Sequence, residues 1–185
     1  MTSDATSSGG NSPGWLPNSI PFSGDWDTFI RALYIVFDRD FKKCFPRYRT
    51  FPVWHNRRVD RADKFGFEEG FWHLVTRDER VFNCATRRNE KERLPDLGRA
   101  SRVPWVRPII EHEDDPAVLA WDFDEEAGGA KVVRSYIWLK EQDYVVVLER
   151  QRKTRGDIFL LITSFHITYE AKRRDLQKRY ERRRK

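Results

Sequence analysis

Histidine is the side chain best suited to proton transfer near neutral pH, and the chain contains four: His55, His73, His112 and His166. His73 is the first candidate because it lies in the apolar segment FWHLVT (residues 71–76), which predicts a buried strand. A histidine in this position can serve as a general acid or base. The alternative is a neutral core histidine held by hydrogen bonds, and both interpretations stay open. His55 and His112 lie in polar stretches and carry no prediction.

Hydroxyl groups and a second imidazole follow the most apolar strand pattern of the chain, Asp157–Thr168. Its residues 158–162 are apolar, and Thr163, Ser164 and His166 come directly after them. Successive strand residues face opposite ways, so we expect Ser164 and His166 on one face and Thr163 on the other. These groups either contact a substrate or form ordinary hydrogen bonds at the end of a strand.

The segment Leu94–Glu111 supplies candidate phosphate-binding groups, since it places three arginines around a tryptophan. These residues are Arg99, Arg102, Arg107 and Trp105. A guanidinium group can bind phosphate through two parallel hydrogen bonds while a base stacks on a nearby aromatic ring. The alternative is that the arginines pair with neighbouring carboxylates such as Asp96, Glu111 or Asp114.

Motifs that hold phosphates or metals at a fixed spacing are missing from the sequence: there is no GxxxxGK[ST], GxGxxG or HExxH. Cys44 and Cys84 lie forty residues apart and are interpreted as reduced thiols, with a single disulfide as the alternative. The acidic groups at 114–115 and 124–126 fall in predicted turns, where solvated charge is expected. We therefore expect neither a metal site nor a cofactor.

The groups that remain are those needed for RNA cleavage without a metal ion. RNA supplies its own nucleophile, the ribose 2′-OH, so a protein needs a general base, a proton for the leaving oxygen and cations for the phosphorane. Histidine suits the proton transfers and arginine the charge. Hydroxyl groups can hold phosphate oxygens or the sugar.

Charge is distributed unevenly along the 185 residues, a length that fits a single domain. Lys172–Lys185 contains nine basic and two acidic residues, and this excess of seven exceeds the net charge of +6, so the rest carries −1. A basic terminus suits a polyanionic partner such as RNA, and a solvated tail is the alternative. No apolar run is long enough for a membrane helix, and no signal peptide is visible, so we expect a cytoplasmic protein.

The hydrophobic pattern predicts an α+β domain over residues 25–185, preceded by a flexible segment, Met1–Gly24, whose end lies against the domain. A helix is predicted over Asp25–Lys43, where Asp25 or Asp27 can cap the start. A short strand is predicted over Thr50–Trp54 and a polar excursion over Arg77–Arg93. Four strands then form a central antiparallel sheet, and a basic helix closes the chain. The strands are Ala117–Phe123, Lys131–Leu139, Tyr144–Arg150 and Asp157–Thr168, and the helix is Tyr169–Arg183.

The order of several motifs resembles a known group of proteins. These motifs are FWHLVT (71–76), RLPDLGRASRVPWVRPII (93–110), YIWL (136–139), DYVVVLERQ (143–151) and FLLITSF (159–165), followed by the basic helix. Together they resemble phage and mobile-element toxins of the barnase–EndoU–colicin–RelE group, a fold class of many metal-independent ribonucleases. The resemblance covers roughly residues 51–183.

The resemblance implies roles for particular residues. His73 would be the general base or acid, with Arg99, Arg102 and Arg107 as cations for the phosphate and Thr163 as a phosphate or ribose contact. Substrate-binding positions would be Trp105, Ser164, Phe165, His166 and Tyr169. Tyrosine is frequent in the group where this chain has Phe165, which puts proton transfer from that position in question, although Tyr169 is close enough in sequence to compensate.

An endoribonuclease toxin of this group also implies partners: an RNA substrate and a cognate antitoxin or immunity protein, with no membrane and no cofactor. Two other functions stay open. One is a non-catalytic module that binds RNA or DNA, and the other is an interaction protein of a mobile element.

Overall fold

The chain forms an α+β structure in a computed structural model that describes residues 12–84, 87–154 and 156–184. The helices are α1 (Trp26–Phe37), continued by a π-helical segment (Asp38–Lys43), α2 (Glu69–Val75), α3 (Leu97–Ala100), α4 (Val103–Glu111) and α5 (Glu170–Glu181). The strands are β1 (Arg47–Tyr48), β2 (Phe51–His55), β3 (Thr76–Asn83), β4 (Arg88–Pro95), β5 (Val118–Ala127), β6 (Ala130–Leu139), β7 (Tyr144–Lys153) and β8 (Gly156–His166). Among the described residues, no helix is long and apolar enough to cross a membrane.

The main sheet has six strands in the order β1–β2–β8–β7–β6–β5. The four predicted strands correspond to β5–β8 and pair antiparallel, as their short connections require. The prediction of a purely antiparallel four-stranded sheet is wrong, because β2 adds to β8 in parallel, with Trp54 opposite Leu160. A parallel neighbour needs a long crossover, here the chain between residues 56 and 155 that contains α2–α4 and β3–β7. Nothing local in the sequence marks such a pairing.

The FWHLVT segment is a helix, so the prediction of a buried strand around His73 is wrong. Within α2, Phe71, Leu74 and Val75 are fully buried, and their spacing of three and four residues is that of one helix face. Phe71 packs against Phe37 and other rings of α1, and burying one such side chain contributes about 1.5–3 kcal/mol. Four of the six residues of FWHLVT are apolar, which fits a helix or a strand, and here the tertiary contacts decide between them.

A close approach of two segments also fixes α2. A Cβ atom added at Gly70 would lie 2.9 Å from the Cβ of His55, at the end of β2. The amide nitrogen of Gly70 donates to the carbonyl oxygen of Asn56 at 2.9 Å. The glycine therefore brings the start of α2 against the end of β2, which places His73 next to β8.

Two hydrophobic cores lie on opposite faces of the main sheet. The larger is formed with α1, α2 and α4, where Ile30, Leu33 and Ile109 are fully buried. Asp25 caps α1 by accepting a hydrogen bond from the amide of Thr28 at 2.6 Å, as predicted for this helix. The smaller core is covered by α5, whose Leu176 is fully buried.

The predicted polar excursion Arg77–Arg93 contributes most of a separate two-stranded sheet, β3–β4, with Thr76 opposite Pro95. Residues 85 and 86 lie outside the described residues. The hairpin connects α2 to α3, and the amide of Asp96, before α3, donates to the carbonyl of Val75, at the end of α2, at 3.0 Å. Cys84, near its tip, and Cys44 are both exposed free thiols.

The described part of the N-terminal segment lies along α4. Trp15 stacks on His112 with ring centroids 4.4 Å apart, and its Nε1 donates to Asp115 at 2.8 Å. The amide of Ile20 donates to the carbonyl of Ser101 at 2.8 Å. The segment Met1–Gly24 was predicted to be flexible, with its end against the domain. Residues 1–11 of this segment lie outside the described residues.

Candidate active site

A β-bulge in β8 determines how the predicted hydroxyl groups point. Thr163 pairs with Val147 and Leu161 with Leu148, which leaves Ile162 without an opposite residue. After this extra residue the alternation continues: Thr163 lies opposite Val147 of the smaller core, and Ser164 lies opposite Val146 of the larger core. The Thr163 hydroxyl reaches the carbonyl of His73 at the edge of β8 that β2 leaves unpaired. The expectation that Ser164 and His166 share one face and that Thr163 takes the other is confirmed by this register, since His166 lies opposite Tyr144 of the larger core.

A cleft of about 430 Å³ opens where β2 ends and leaves the edge of β8 uncovered. Three of the predicted catalytic residues, His73, Arg99 and Thr163, line this cleft. Its other lining residues are Asn56, Thr76, Arg77, Asp78, Leu160, Leu161 and Ile162. The fold thus brings together side chains from α2, α3 and β8 that lie 26 to 90 positions apart in the sequence.

Arg99 is the central cation of the cleft. It lies in α3, whose N-cap Asp96 accepts a hydrogen bond from the Arg99 amide at 3.0 Å. Its Nη1 donates to the carbonyl oxygens of His73 (3.3 Å) and Thr76 (2.9 Å) and to Oγ1 of Thr163 (3.1 Å). These contacts join the end of α2 to the bulge of β8.

The charge of Arg99 is only partly compensated by the protein. Its side chain is largely buried, and among the described residues its Nε is buried without a hydrogen-bond partner. The Asp96 carboxylate lies 3.8 Å from Nε, beyond hydrogen-bond distance. Burial lowers the pKa of Arg99 from its usual value, and Asp96 opposes that shift. A buried cation in this state favours an anion in the cleft.

His73 presents its imidazole at the cleft from the last turn of α2. The side chain is 39% exposed, so solvent and a ligand can reach the ring. Its Nε2 lies 3.8 Å from the Glu69 carboxylate one turn earlier, which also accepts a hydrogen bond from Arg93 at 2.9 Å. The Glu69 carboxylate therefore lies where it can orient the imidazole.

The Thr163 hydroxyl already takes part in protein hydrogen bonds. Oγ1 donates to the carbonyl oxygen of His73 at 3.0 Å and accepts from Arg99 Nη1 at 3.1 Å. Because a hydroxyl group has a single proton, Thr163 fixes the backbone of His73 and has no second proton for a phosphate oxygen. Its clearest role is to position the histidine.

The second predicted arginine, Arg102, lies outside the cleft. Its Nη1 donates to the carbonyl of Gly98 at 2.6 Å, and its guanidinium carbon lies 5.1 Å from the centroid of the Trp105 ring. Trp105 packs edge-on against Tyr144 at 5.6 Å and donates to the carbonyl of Pro17 at 2.8 Å. The expected arginine–tryptophan pair therefore exists, but it fastens the N-terminal segment and α4 to the sheet.

Arg107 forms an ion pair along α4, with its Nη2 3.1 Å from the Glu111 carboxylate. The hydrogen bond to Glu111 raises the pKa of Arg107 above its usual value. This is the alternative that the sequence left open for the arginines of this segment. Arg107 is not among the residues that line the cleft.

The remaining predicted binding residues are separated by the sheet or by burial. Ser164 is fully buried, and its hydroxyl lies 2.8 Å from the Tyr144 hydroxyl. Phe165 faces α5, where the Lys172 ammonium lies 5.3 Å from the ring centroid. Tyr169 precedes α5 and is 75% exposed. Half-burial, reinforced by the charge of Arg102, lowers the pKa of His166, which keeps that ring neutral near pH 7.

Sequence reasoning missed two cleft residues, Asn56 and Arg77. Arg77 directly follows FWHLVT and pairs with Glu79 at 3.1 Å, on a side chain that stays half exposed. Its position after an apolar segment was a usable signal, but the many charges that follow it in the hairpin concealed it. Asn56 has no distinguishing pattern, since only the end of β2 places it at the cleft.

The chemistry available in the cleft is proton transfer beside a partly compensated cation. His73 is the only histidine among the lining residues, and Arg99 and Arg77 bring two positive charges against one lining carboxylate, Asp78. Among the residues that the structure describes, no group of three or more His, Cys, Asp or Glu side chains is placed to hold a metal ion. The lining residues are therefore suited to binding an anionic ester and moving a proton on it.

Similarity to known proteins does not define this site. The chain was compared with protein-family models, with curated proteins and with solved structures, and none of them matches it. The resemblance drawn from its motifs stays a prediction, and the function has to be argued from the cleft itself.

Proposed function

We propose that this chain is an endoribonuclease that cleaves RNA by attack of a ribose 2′-OH, without a metal ion, in the cleft of His73 and Arg99. The observation that carries the proposal is the convergence of His73, Arg99 and Thr163 on one cleft from three separate elements. Cleavage at a phosphodiester requires proton transfer and a cation for the developing negative charge, and the cleft holds a group for each.

In this mechanism, His73 performs one of the two proton transfers, by taking the proton from the 2′-OH or by supplying one to the leaving 5′ oxygen, and water in the solvent-open cleft performs the other. Arg99 and Arg77 stabilise the negative charge that accumulates on the phosphorane oxygens. Thr163 acts as a positioning residue, because it holds the His73 carbonyl rather than the substrate. The mechanism also fits a toxin that a cognate antitoxin or immunity protein would block by covering the cleft.

The test compares purified wild type with His73→Ala on a short single-stranded RNA. We expect the variant to lose cleavage by roughly 100-fold or more, which is the usual contribution of a general acid or base, and to keep its affinity for the RNA. His73→Gln serves as a second variant, because it retains a polar side chain at the exposed position and cannot titrate. Cleavage by both variants at the wild-type rate would overturn the proposal.

A non-catalytic RNA-binding module is the second candidate, and one observation favours it. Arg99 and Thr163 direct their hydrogen bonds at the backbone of α2, as purely structural residues would. This function predicts RNA binding by the wild type, with no cleavage at any pH between 5 and 9. The two functions differ in product formation by wild type, so one gel decides between them.

A further inference from the structure

A second and larger groove adjoins the candidate active site. It has a volume of about 1120 Å³ and lies between β2 and the β7–β8 hairpin. Its walls include Phe51 and Trp54 from β2 and Ile158 and Leu160 from β8. The groove therefore offers apolar and aromatic surface over a length of two adjacent strands.

The rim of this groove is cationic. Arg47, Arg152 and Lys153 line it and are exposed. The single carboxylate among the lining residues, Asp157, accepts a 2.8 Å hydrogen bond from Arg150 Nε and is thereby compensated. The combination of apolar walls and a positive rim complements a ligand with flat apolar groups and regularly spaced negative charges.

Trp54 provides a rigid stacking surface at the groove. It is 40% exposed, which is unusual for a tryptophan in a strand. The ring stacks on Phe45 with centroids 5.7 Å apart and planes 22° from parallel. The guanidinium carbon of Arg57 lies 5.2 Å from the centroid of the Trp54 ring. These neighbours hold the indole in one orientation while part of its surface stays open to a ligand.

The groove and the cleft are neighbours along β8. Leu160 lines both, and it pairs with Trp54 in the parallel register of β2 and β8. Thr163, at the cleft, lies three residues further along β8, or roughly 10 Å at 3.3 Å per strand residue. A strand of nucleic acid that passes through the cleft can therefore reach Trp54 with a neighbouring nucleotide.

We propose that this groove binds single-stranded RNA next to the cleaved phosphate, with one unpaired base stacked on Trp54 and phosphates contacting Arg47, Arg152 and Lys153. The choice of RNA over DNA rests on the proposed function, whereas the stacking and charge arguments stand on the groove alone. A single strand is required because the bases of a duplex have no free faces to stack on a side chain.

The experiment measures binding without cleavage. A short fluorescent 2′-O-methyl RNA cannot undergo attack by the 2′ oxygen, so its anisotropy reports binding to the full chain alone. We expect Trp54→Ala to weaken binding roughly tenfold or more, as loss of one stacked base does, and Trp54→Phe to weaken it less. The melting temperature of each variant shows whether it is folded.

Charge is tested with two matched triple variants. Arg47→Gln/Arg152→Gln/Lys153→Gln removes the rim, and Arg31→Gln/Arg61→Gln/Lys64→Gln removes three exposed charges that line neither the groove nor the cleft. The rim variant should reduce the steepness with which log affinity falls with log salt by about 2, at ~0.7 for each of three phosphate contacts. The control variant should leave this salt dependence nearly unchanged. The groove proposal would be overturned if the two triple variants lost equal affinity for the RNA, or if Trp54→Ala bound the RNA as tightly as wild type.

The failure of this inference is distinguishable from failure of the proposed function. If His73→Ala abolishes cleavage while the Trp54 and rim variants bind RNA normally, the proposed function is supported and RNA binding in the groove is rejected. If the Trp54 and rim variants lose RNA binding while His73→Ala cleaves like wild type, RNA binding in the groove is supported and the catalytic role of His73 is rejected. A duplex that binds as tightly as the single strand would also overturn the groove.

Discussion

At the scale of single residues, Arg99 and Arg107 are both arginines, but one is buried at the cleft and the other forms an ion pair along a helix. Arg99 is largely buried and donates to three groups that hold α2 against β8. Arg107 lies on α4 and pairs with Glu111 one turn away. Both arginines lie in the segment Leu94–Glu111 near Trp105, but only Arg107 is directly followed by a proline, Pro108. Their different consequences on mutation are therefore a direct test of the structure.

We expect Arg99→Lys to lose cleavage and also to destabilise the fold by about 1–3 kcal/mol. Lysine keeps the charge, but one ammonium group cannot replace the planar guanidinium, and the carbonyls of His73 and Thr76 lose their donor. Arg107→Lys is the matched control and should stay within about 0.5 kcal/mol of wild type, with unchanged cleavage. Urea unfolding and an RNA cleavage assay measure both quantities. Full cleavage by Arg99→Lys would place the phosphate site elsewhere.

His55 makes folding depend on pH. It is buried at the end of β2, among the described residues neither ring nitrogen has a hydrogen-bond partner, and burial lowers its pKa to about 4. Glu68 opposes this shift, whereas Arg57 and Lys42 add to it. The unfolded histidine, with a pKa near 6.5, binds a proton that the folded one excludes, so stability falls as the pH drops from about 6.5 to about 4.

His55→Phe should therefore flatten the pH dependence of unfolding. Between pH 7 and pH 5, wild type should lose about 2 kcal/mol more than the variant, a figure set by the two pKa values. Phenylalanine keeps an aromatic ring against Phe37, which His55 meets edge-on at 4.9 Å. Urea unfolding at both values of pH gives the comparison, and identical losses in the two proteins would contradict the buried neutral ring.

At the scale of elements, α5 combines a structural part with a charged end. Leu176 is fully buried in the smaller core, and Arg179 donates to the Tyr136 hydroxyl at 2.7 Å. Arg183 and Arg184 instead line a separate basic pocket of about 600 Å³ with Arg49, Lys131, Arg150 and Arg152. A truncation that tests the role of the charges must therefore spare the helix up to Glu181.

We expect removal of residues 182–185, which are all basic, to weaken RNA binding while leaving the melting temperature nearly unchanged. If all four charges contact phosphates, the steepness with which log affinity falls with log salt should decrease by up to about 3, at ~0.7 per contact. Fluorescence anisotropy at several salt concentrations measures the slope. An unchanged affinity with an unchanged slope would show that the end of the chain is only solvated. Leu176→Ala provides the contrast, since it should lower stability by about 2–5 kcal/mol.

At the scale of the whole molecule, the proposed chemistry makes a prediction about metals and products. Cleavage should proceed at an unchanged rate in EDTA, because His73 and the arginines supply the proton transfer and the charge. The products should carry 2′,3′-cyclic or 3′ phosphates, since the 2′-OH is the attacking group. Mass spectrometry of the fragments identifies these ends, and a strict requirement for Mg²⁺ would contradict the mechanism.

The sequence by itself determined the α+β class, α1 with an aspartate cap at its start, the four antiparallel strands β5–β8 and the basic last helix. Each follows from a local pattern: alternation in strands, a cap before an apolar stripe, or short connections between neighbours. It also singled out His73, Arg99 and Thr163, because their residue types suit proton transfer and phosphate binding.

Only the tertiary structure decided what these residues do. The helical form of FWHLVT, the parallel pairing of β2 with β8 and the bulge at Ile162 depend on contacts between distant segments. Those contacts bring His73, Arg99 and Thr163 to one cleft and leave Arg107 on α4. Local sequence preferences cannot predict such pairings, because the stabilising free energy comes from contacts between segments that meet only when the chain folds.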